Sequence, residues 1–160
     1  MTVSYTAAAT RGKTLVARIL PGEDLIPAII ECCREHGVKA GFITVCIGSL
    51  RKASFVYAVE NRETYYKMVY SEAQKVEGPF EFLGGQGLVG LDEHDGWQVH
   101  LHASFCDKNR NVLAGHMLDE GNLVLATMEV VIQEVSDISL KRIYHHQSGF
   151  SFFTPLPKEE

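Results

Sequence analysis

Trp97-Gln98-Val99-His100-Leu101-His102-Ala103-Ser104-Phe105-Cys106 is the stretch whose reading decides the fold. Apolar and polar residues alternate along it without a break. Successive side chains of a β-strand point to opposite faces. Trp97, Val99, Leu101, Ala103 and Phe105 therefore form one apolar face, and Gln98, His100, His102 and Ser104 share the other. Two imidazoles at i and i+2 can converge on a single ion. Asp107 to Asn111 then supplies a five-residue turn, and Val112 to Leu118 is the natural return strand. Pairing Cys106 with Val112 sets His102 directly opposite His116. Cross-strand neighbours on one face have Cβ atoms about 4.5–5.5 Å apart, close enough to share a metal. A register slip of one residue would turn His116 to the other face. Three neutral imidazoles with an open fourth position describe a catalytic-type zinc site rather than a closed structural one. A plainer alternative stands beside this: histidines also serve as hydrogen-bonding groups or decorate a polar sheet face, and His-x-His alone is a weak signal.

Outward from this hairpin, strand chemistry dominates. Phe42 to Leu50 and Ala53 to Val59 are rich in β-branched and aromatic residues, and Ala126 to Val135 reads as a further strand. Phe80 to Leu91 contains Gly84-Gly85-Gln86-Gly87, which predicts a bent or bulged strand. Glu60 to Gly78 is more polar and reads as an excursion or short hairpin. Thr14 to Leu20 is a strand closed by the turn signal Pro21-Gly22. One helix follows, with Asp24 as its expected cap and Pro27 in its first turn, where amides lack intrahelical partners. Leu25, Ile26, Ile29, Ile30 and Cys33 form its apolar stripe, and Gly37 suits the residue just past its end. Many strands around one main helix, without βαβ alternation, predict an α+β (α/β) single domain: a mainly antiparallel, bent sheet packed with one main helix. The expected boundaries are an N-terminal arm over 1–13, the domain over 14–154 and a polar tail over 155–160.

The 160 residues are 46% hydrophobic and 22% charged, the composition of a globular chain able to bury a core. A formal charge of −5 argues against a domain that grips nucleic acid by itself, because phosphate contacts need a dense Lys/Arg surface. No run approaches the roughly 18 apolar residues of a membrane span, and the N-terminal residues do not read as a signal peptide. Cys32, Cys33, Cys46 and Cys106 form no Cys-x-x-Cys pair. They read as free thiols in a reducing, cytoplasmic setting.

Several blocks together resemble a family. Leu20-Pro21-Gly22-Glu23-Asp24-Leu25, Glu77-Gly78-Pro79-Phe80-Glu81-Phe82-Leu83, His100-Leu101-His102, Val112-Leu113-Ala114-Gly115-His116-Met117 and Thr127-Met128-Glu129-Val130-Val131-Ile132 occur in the order of the plants-and-prokaryotes-conserved (PPC) domain. The resemblance covers about Thr14 to Phe153. It implies an α/β domain, commonly a homotrimer, that stands alone in prokaryotes and is attached to AT-hook DNA-binding segments in plants. This chain has no Arg-Gly-Arg core, so the plant proteins' DNA contact does not carry over. The implied fold is similar to that of acetolactate decarboxylase, whose zinc is held by His-x-His plus a later His. His100, His102 and His116 match that pattern as metal ligands, with zinc as the implied cofactor. The partners expected are further copies of the chain and a small molecule, with no membrane.

Other residues carry weaker signals. Glu81 is the best candidate for a carboxylate near the metal, as a hydrogen-bond partner or general acid/base; its alternative is a strand glutamate on a wet face or at a subunit contact. Glu129 sits in an apolar strand and needs a structural partner. Arg51 follows Gly-Ser-Leu and reads as a solvated residue or an anion holder. His145 and His146 lie near Arg142 as surface residues or cleft-lining ones. The glycine run lacks the Lys-Ser/Thr of a phosphate loop, and no serine sits in Gly-x-Ser-x-Gly. Three readings remain: a zinc-dependent lyase or hydrolase on a small oxygen-rich substrate, a non-catalytic module for protein or DNA-associated regulation, and a structural metal that holds the hairpin or a subunit interface together.

Overall fold

The computed structural model describes residues 5–9 and 13–157. In chain order the elements are β1 (Tyr5–Ala9), β2 (Thr14–Ile19), α1 (Leu25–Glu35), β3 (Gly41–Val56), β4 (Ala58–Glu60), β5 (Met68–Tyr70), β6 (Gln74–Asp92), β7 (Trp97–Asp107), β8 (Val112–Met117), β9 (Val124–Glu134), β10 (Ile138–His145) and β11 (Phe150–Pro157). Nine strands form one sheet in the order β1-β2-β9-β3-β8-β7-β6-β10-β11. β3 also pairs with β6, so β3, β8, β7 and β6 close a ring. The pairings are antiparallel except that β10 runs parallel to β6 through Lys141↔Leu91 and Arg142↔Asp92. β4 and β5 form a separate small hairpin.

The expected α+β class with a main helix is overturned. The fold is mostly β, 64% strand and 8% helix, built on a large mixed sheet with one short helix. The physical reason is strand length. Phe42–Leu50 and Ala53–Val59, read as separate strands, are largely one 16-residue strand, β3, which absorbs an irregularity between Leu50 and Lys52. β6 runs for 19 residues straight through its glycines. Its ladder with β7 shifts between Phe82 and Gly84, the bulge that the glycine run predicts. At Gly87 a Cβ would lie 2.0 Å from the carbonyl oxygen of His100, so only glycine lets β6 approach β7 there. Strand structure also extends into both expected flanks: Tyr5–Ala9 pairs along β2, and β11 continues to Pro157 against Ile138.

Burial follows the predicted alternation. Val99, Leu101, Ala103 and Phe105 of β7 point inward, with Leu101 and Phe105 fully buried. Phe105 stacks at 6.4 Å on Phe82 and meets Phe55 and Phe80 edge-on at 5.4 and 5.1 Å. Leu25, Ile26, Ala28, Ile29, Cys32 and Cys33 of α1 join Leu15, Ile19, Val99 and Ile132 in one continuous core. Gly37, with φ of 68°, follows the C-cap His36 as expected. Asp24 does occupy the N-cap position, but its carboxylate does not cap the helix. It accepts from the backbone N–H groups of Gly121 (2.6 Å) and Asn122 (3.0 Å), fastening the helix start to the loop after β8. Asn122, fully buried, accepts in turn from the N–H of Ser54 (2.8 Å) and donates to the Leu118 carbonyl (2.7 Å). Among the described residues no helix is long and apolar enough to cross a membrane.

Candidate metal centre

The β7–β8 ladder pairs Cys106 with Val112 and His102 with His116, the register on which the sequence argument turned. β8 in turn crosses the end of β3 through only two pairs, Phe55↔Met117 and Val56↔His116. Gly115 makes that crossing possible, because a Cβ there would stand 2.5 Å from the carbonyl oxygen of Val56. His116 is thus pinned between two strands, while His100 and His102 project from the outer face of β7.

The three imidazoles meet. Each offers a ring nitrogen, and these nitrogens lie within 4.8 Å of one another. Ring centroids are 4.9 Å apart for His100–His102, 4.8 Å for His100–His116 and 5.3 Å for His102–His116. Nδ1 of His116 lies 3.3 Å from Nε2 of His102. Nε2 of His100 is buried and has no hydrogen-bond partner, a costly state for a polar atom unless something else satisfies it. Burial is the main force holding His100 below the ordinary imidazole range, followed by the charges of His102 and Arg142. His116 is held down to about 4, again chiefly by burial, then by His100, His102 and Arg142. Both rings are therefore neutral near pH 7 and keep lone pairs available. Neutral imidazole is the form that ligates a metal, so the donor set fits a cation such as zinc.

Two hollows flank the triad. A broad groove of about 720 Å³ borders His102, with Val45, Ile47, Gln86 and Ser104 among its walls. A smaller pocket of about 250 Å³ contains His100 and His116 and is walled by Tyr66, Tyr70, Arg142 and Phe152. Tyr70 sits 5.4 Å from the His116 ring and 5.4 Å edge-on from Phe150.

Other expected site residues are placed elsewhere. Glu81 is exposed, opposite Cys106 and Ser49. Cys106 is four residues from His102, about 13 Å along the strand, so the structure does not bring Glu81 to the triad. Glu129 finds its structural partner: Thr127 Oγ1 donates to its Oε1 at 2.8 Å, and Arg18 Nε donates to Thr127 Oγ1 at 3.2 Å. Arg51 is exposed at the β3 irregularity. His145 is held at Ser148 (2.9 Å) and packs 5.5 Å from Tyr65, outside the triad. Tyr66, Tyr70, Phe150 and Phe152 escaped the sequence reading. Their signal was aromatic density in a polar excursion, Tyr65-Tyr66 with Tyr70, and Phe150/Phe152 at strand spacing near the C-terminus.

Residues 6–136 match the Plants and Prokaryotes Conserved (PCC) domain. The chain belongs to this family. Over 133 residues it is 30% identical to a bifunctional protein GlmU of Synechococcus sp. (strain JA-3-3Ab), a match covering 83% of this chain and 19% of that one. The chain thus spans about a fifth of the length of the curated relatives it matches. Among solved structures, a candidate DNA-binding protein from Bacteroides thetaiotaomicron has a TM-score of 0.77 at 19% identity, covering 94% of this chain and 96% of that one. The metal-containing protein AF0104 from Archaeoglobus fulgidus has a TM-score of 0.73 at 22% identity, covering 96% and 99%. These two likenesses show the PCC-type fold.

Proposed function

We propose that this PCC-domain protein binds a divalent metal, zinc by donor type, through His100, His102 and His116, and acts there on a small oxygen-rich molecule. The observation that carries the reading is the convergence of three ring nitrogens within 4.8 Å around the unpartnered, buried Nε2 of His100. The Archaeoglobus protein of like fold, described as metal-containing, supports it. So does the His-x-His plus later His pattern shared with acetolactate decarboxylase. When bound, zinc would supply Lewis acidity and lower the pKa of a water. The chain's own part is to present three imidazoles on neighbouring strands and leave one side open to the walled pocket. A lyase or hydrolase reaction suits that arrangement.

The metal content of the purified protein, measured by mass spectrometry beside His102→Ala, tests the reading. Near-stoichiometric zinc in the native protein and its loss in the variant are expected. Absence of metal from both, even after zinc addition, would reduce the triad to sheet decoration.

We further propose that the working unit is a homotrimer in the cytoplasm. Phe42, Val45, Ile47 and Leu83 are exposed, apolar side chains that contact between copies of the chain would cover. Three of the four cysteines are buried free thiols, suited to a reducing compartment. A second reading, a regulatory module associated with DNA, draws on the description of the Bacteroides protein. The charge of −5 weighs against direct contact, and a gel-shift titration at two salt concentrations decides it, since phosphate-driven affinity must fall steeply with salt.

A further inference from the structure

The small pocket over His100 and His116 is built from the β4–β5 region, the β7–β8 hairpin and the β10–β11 hairpin. The β4–β5 region contributes Tyr66 and Tyr70, β10 contributes Arg142, and β11 contributes Phe150 and Phe152. Its wall is a ladder of ring contacts: Tyr66 meets Phe152 edge-on at 5.9 Å and lies 6.4 Å from Phe150, which meets Tyr70. Aromatic walls of this kind accept a flat or short apolar body. At about 250 Å³ the space falls just below the range of roughly 300–1,000 Å³ that drug-sized ligands fill, so its occupant is small.

One cation lies in this apolar enclosure. The parallel pairing of β10 with β6 carries Arg142 to the pocket. Its Nη1 donates to Oε1 of Gln98 at 3.3 Å, and its Cζ lies 6.0 Å from the Phe153 ring. Gln98 donates onward from Nε2 to Asp92 (3.2 Å), so the amide is itself oriented and holds the guanidinium in place. Among the described residues no carboxylate forms an ion pair with Arg142. A guanidinium has five donors in a rigid fork matched to a carboxylate. Here the fork is half-buried, positioned and without a counter-charge. A guanidinium left so beside a pocket is an anion receptor.

We infer that this pocket binds a small monocarboxylate with an aromatic or short apolar body, its carboxylate on Arg142 and its body between Tyr66, Tyr70 and Phe152, above the imidazoles. The inference rests on the proposed site by naming the class of molecule that site takes. Its recognition element, Arg142, is separate from the three histidines, so the two can fail independently.

Benzoate is the probe, with benzyl alcohol as its uncharged counterpart. Both are titrated by ligand-observed NMR into chelator-treated and zinc-loaded protein, for the native chain, Arg142→Gln, Arg142→Lys and Tyr66→Ala. Circular dichroism confirms that each variant is folded. Charge-assisted hydrogen bonds of this kind set the expected scale: benzoate binds the metal-free native chain, and Arg142→Gln weakens it about tenfold or more. Arg142→Lys, which keeps the charge and loses the fork, falls between. Tyr66→Ala weakens benzoate, and benzyl alcohol binds far less than benzoate throughout. Equal benzoate affinity in the native chain and Arg142→Gln overturns the inference, as does absence of benzoate binding with and without zinc. Benzoate binding that requires zinc and ignores Arg142 also overturns it while leaving the metal reading intact. A chain that takes no zinc yet binds benzoate through Arg142 upholds the pocket and sinks the metal.

Discussion

Replacing Gly115 by alanine tests how the fold sets the site. In most strands this change would be neutral or helpful, because alanine restricts the unfolded chain and stabilises by about 0.4–1 kcal/mol where the backbone tolerates it. The backbone of Gly115 has no positive φ to forbid it. The obstacle is its neighbour. The new Cβ would stand 2.5 Å from the Val56 carbonyl oxygen and 2.8 Å from Cδ2 of Phe55, where ordinary contact begins at 3.4 Å. The Phe55 ring is buried against Phe105 and the Val56 oxygen is backbone, so β3 and β8 must part by about 0.9 Å (3.4 less 2.5) to restore contact distance. Only two residue pairs join these strands, so the ladder opens there. Overpacking costs about 1–3 kcal/mol, and each ladder hydrogen bond lost adds about 0.5–1.5 kcal/mol. We expect a net destabilisation of about 2 kcal/mol, read as a lower urea midpoint at unchanged slope. Because His116 is the next residue and forms one of the two pairs, zinc affinity is expected to fall with it. A variant as stable as the native protein, or more so, with the same zinc affinity would refute the claim that this close approach positions His116.

Two further outcomes follow from the core. Phe105→Ala removes a fully buried ring that contacts Phe55, Phe80 and Phe82, and should cost about 3–5 kcal/mol in urea unfolding; a loss below about 2 kcal/mol would mean the inward face of β7 is not the centre of the core. Burial raises the thiol of Cys32 to about 11 and of Cys46 to about 12, and raises Cys33 by burial and then by Cys32. In the native protein only Cys106, which is partly exposed, should therefore react readily with iodoacetamide at pH 8. Above about pH 9 the unfolded thiols ionise while the native ones stay protonated, so the native state binds more protons and stability must fall as pH rises. Fast labelling of two or more thiols in the native protein, or stability that climbs between pH 9 and 11, would contradict this.

The hairpin carrying the triad was legible because three local signals agreed. Alternation fixed the faces of β7, Asp107 to Asn111 fixed the turn, and a period of two allows one register that puts His116 beside His102. The helix was legible for the same kind of reason: its stripe and Gly37 are local. The destination of the Asp24 carboxylate was not, because its acceptors' partners, Gly121 and Asn122, lie nearly a hundred residues away. Strand lengths exceed the sequence reading where β3 runs through an irregularity that looks like a break, and where β6 already begins at Gln74 within a segment that reads as a polar excursion. The shift of class from α+β to a mostly β fold follows from that and from β1, β10 and β11.

Short-range pattern sets which side chains share a face, where the chain turns, and that three imidazoles sit on one side of a hairpin. What surrounds them depends on long-range strand pairing. Arg142 reaches the triad because β10 lies parallel to β6, a pairing between segments some fifty residues apart that no periodicity encodes. The wall of Tyr66, Tyr70, Phe150 and Phe152 forms because a small hairpin and the C-terminal strand meet over β7 and β8. Glu81 and His100 lie on neighbouring strands of the same sheet, yet the register of β6 on β7 places the carboxylate opposite Cys106. Periodicity acts between adjacent residues, whereas a pocket is an agreement among strands whose order is set by the burial of the whole sheet.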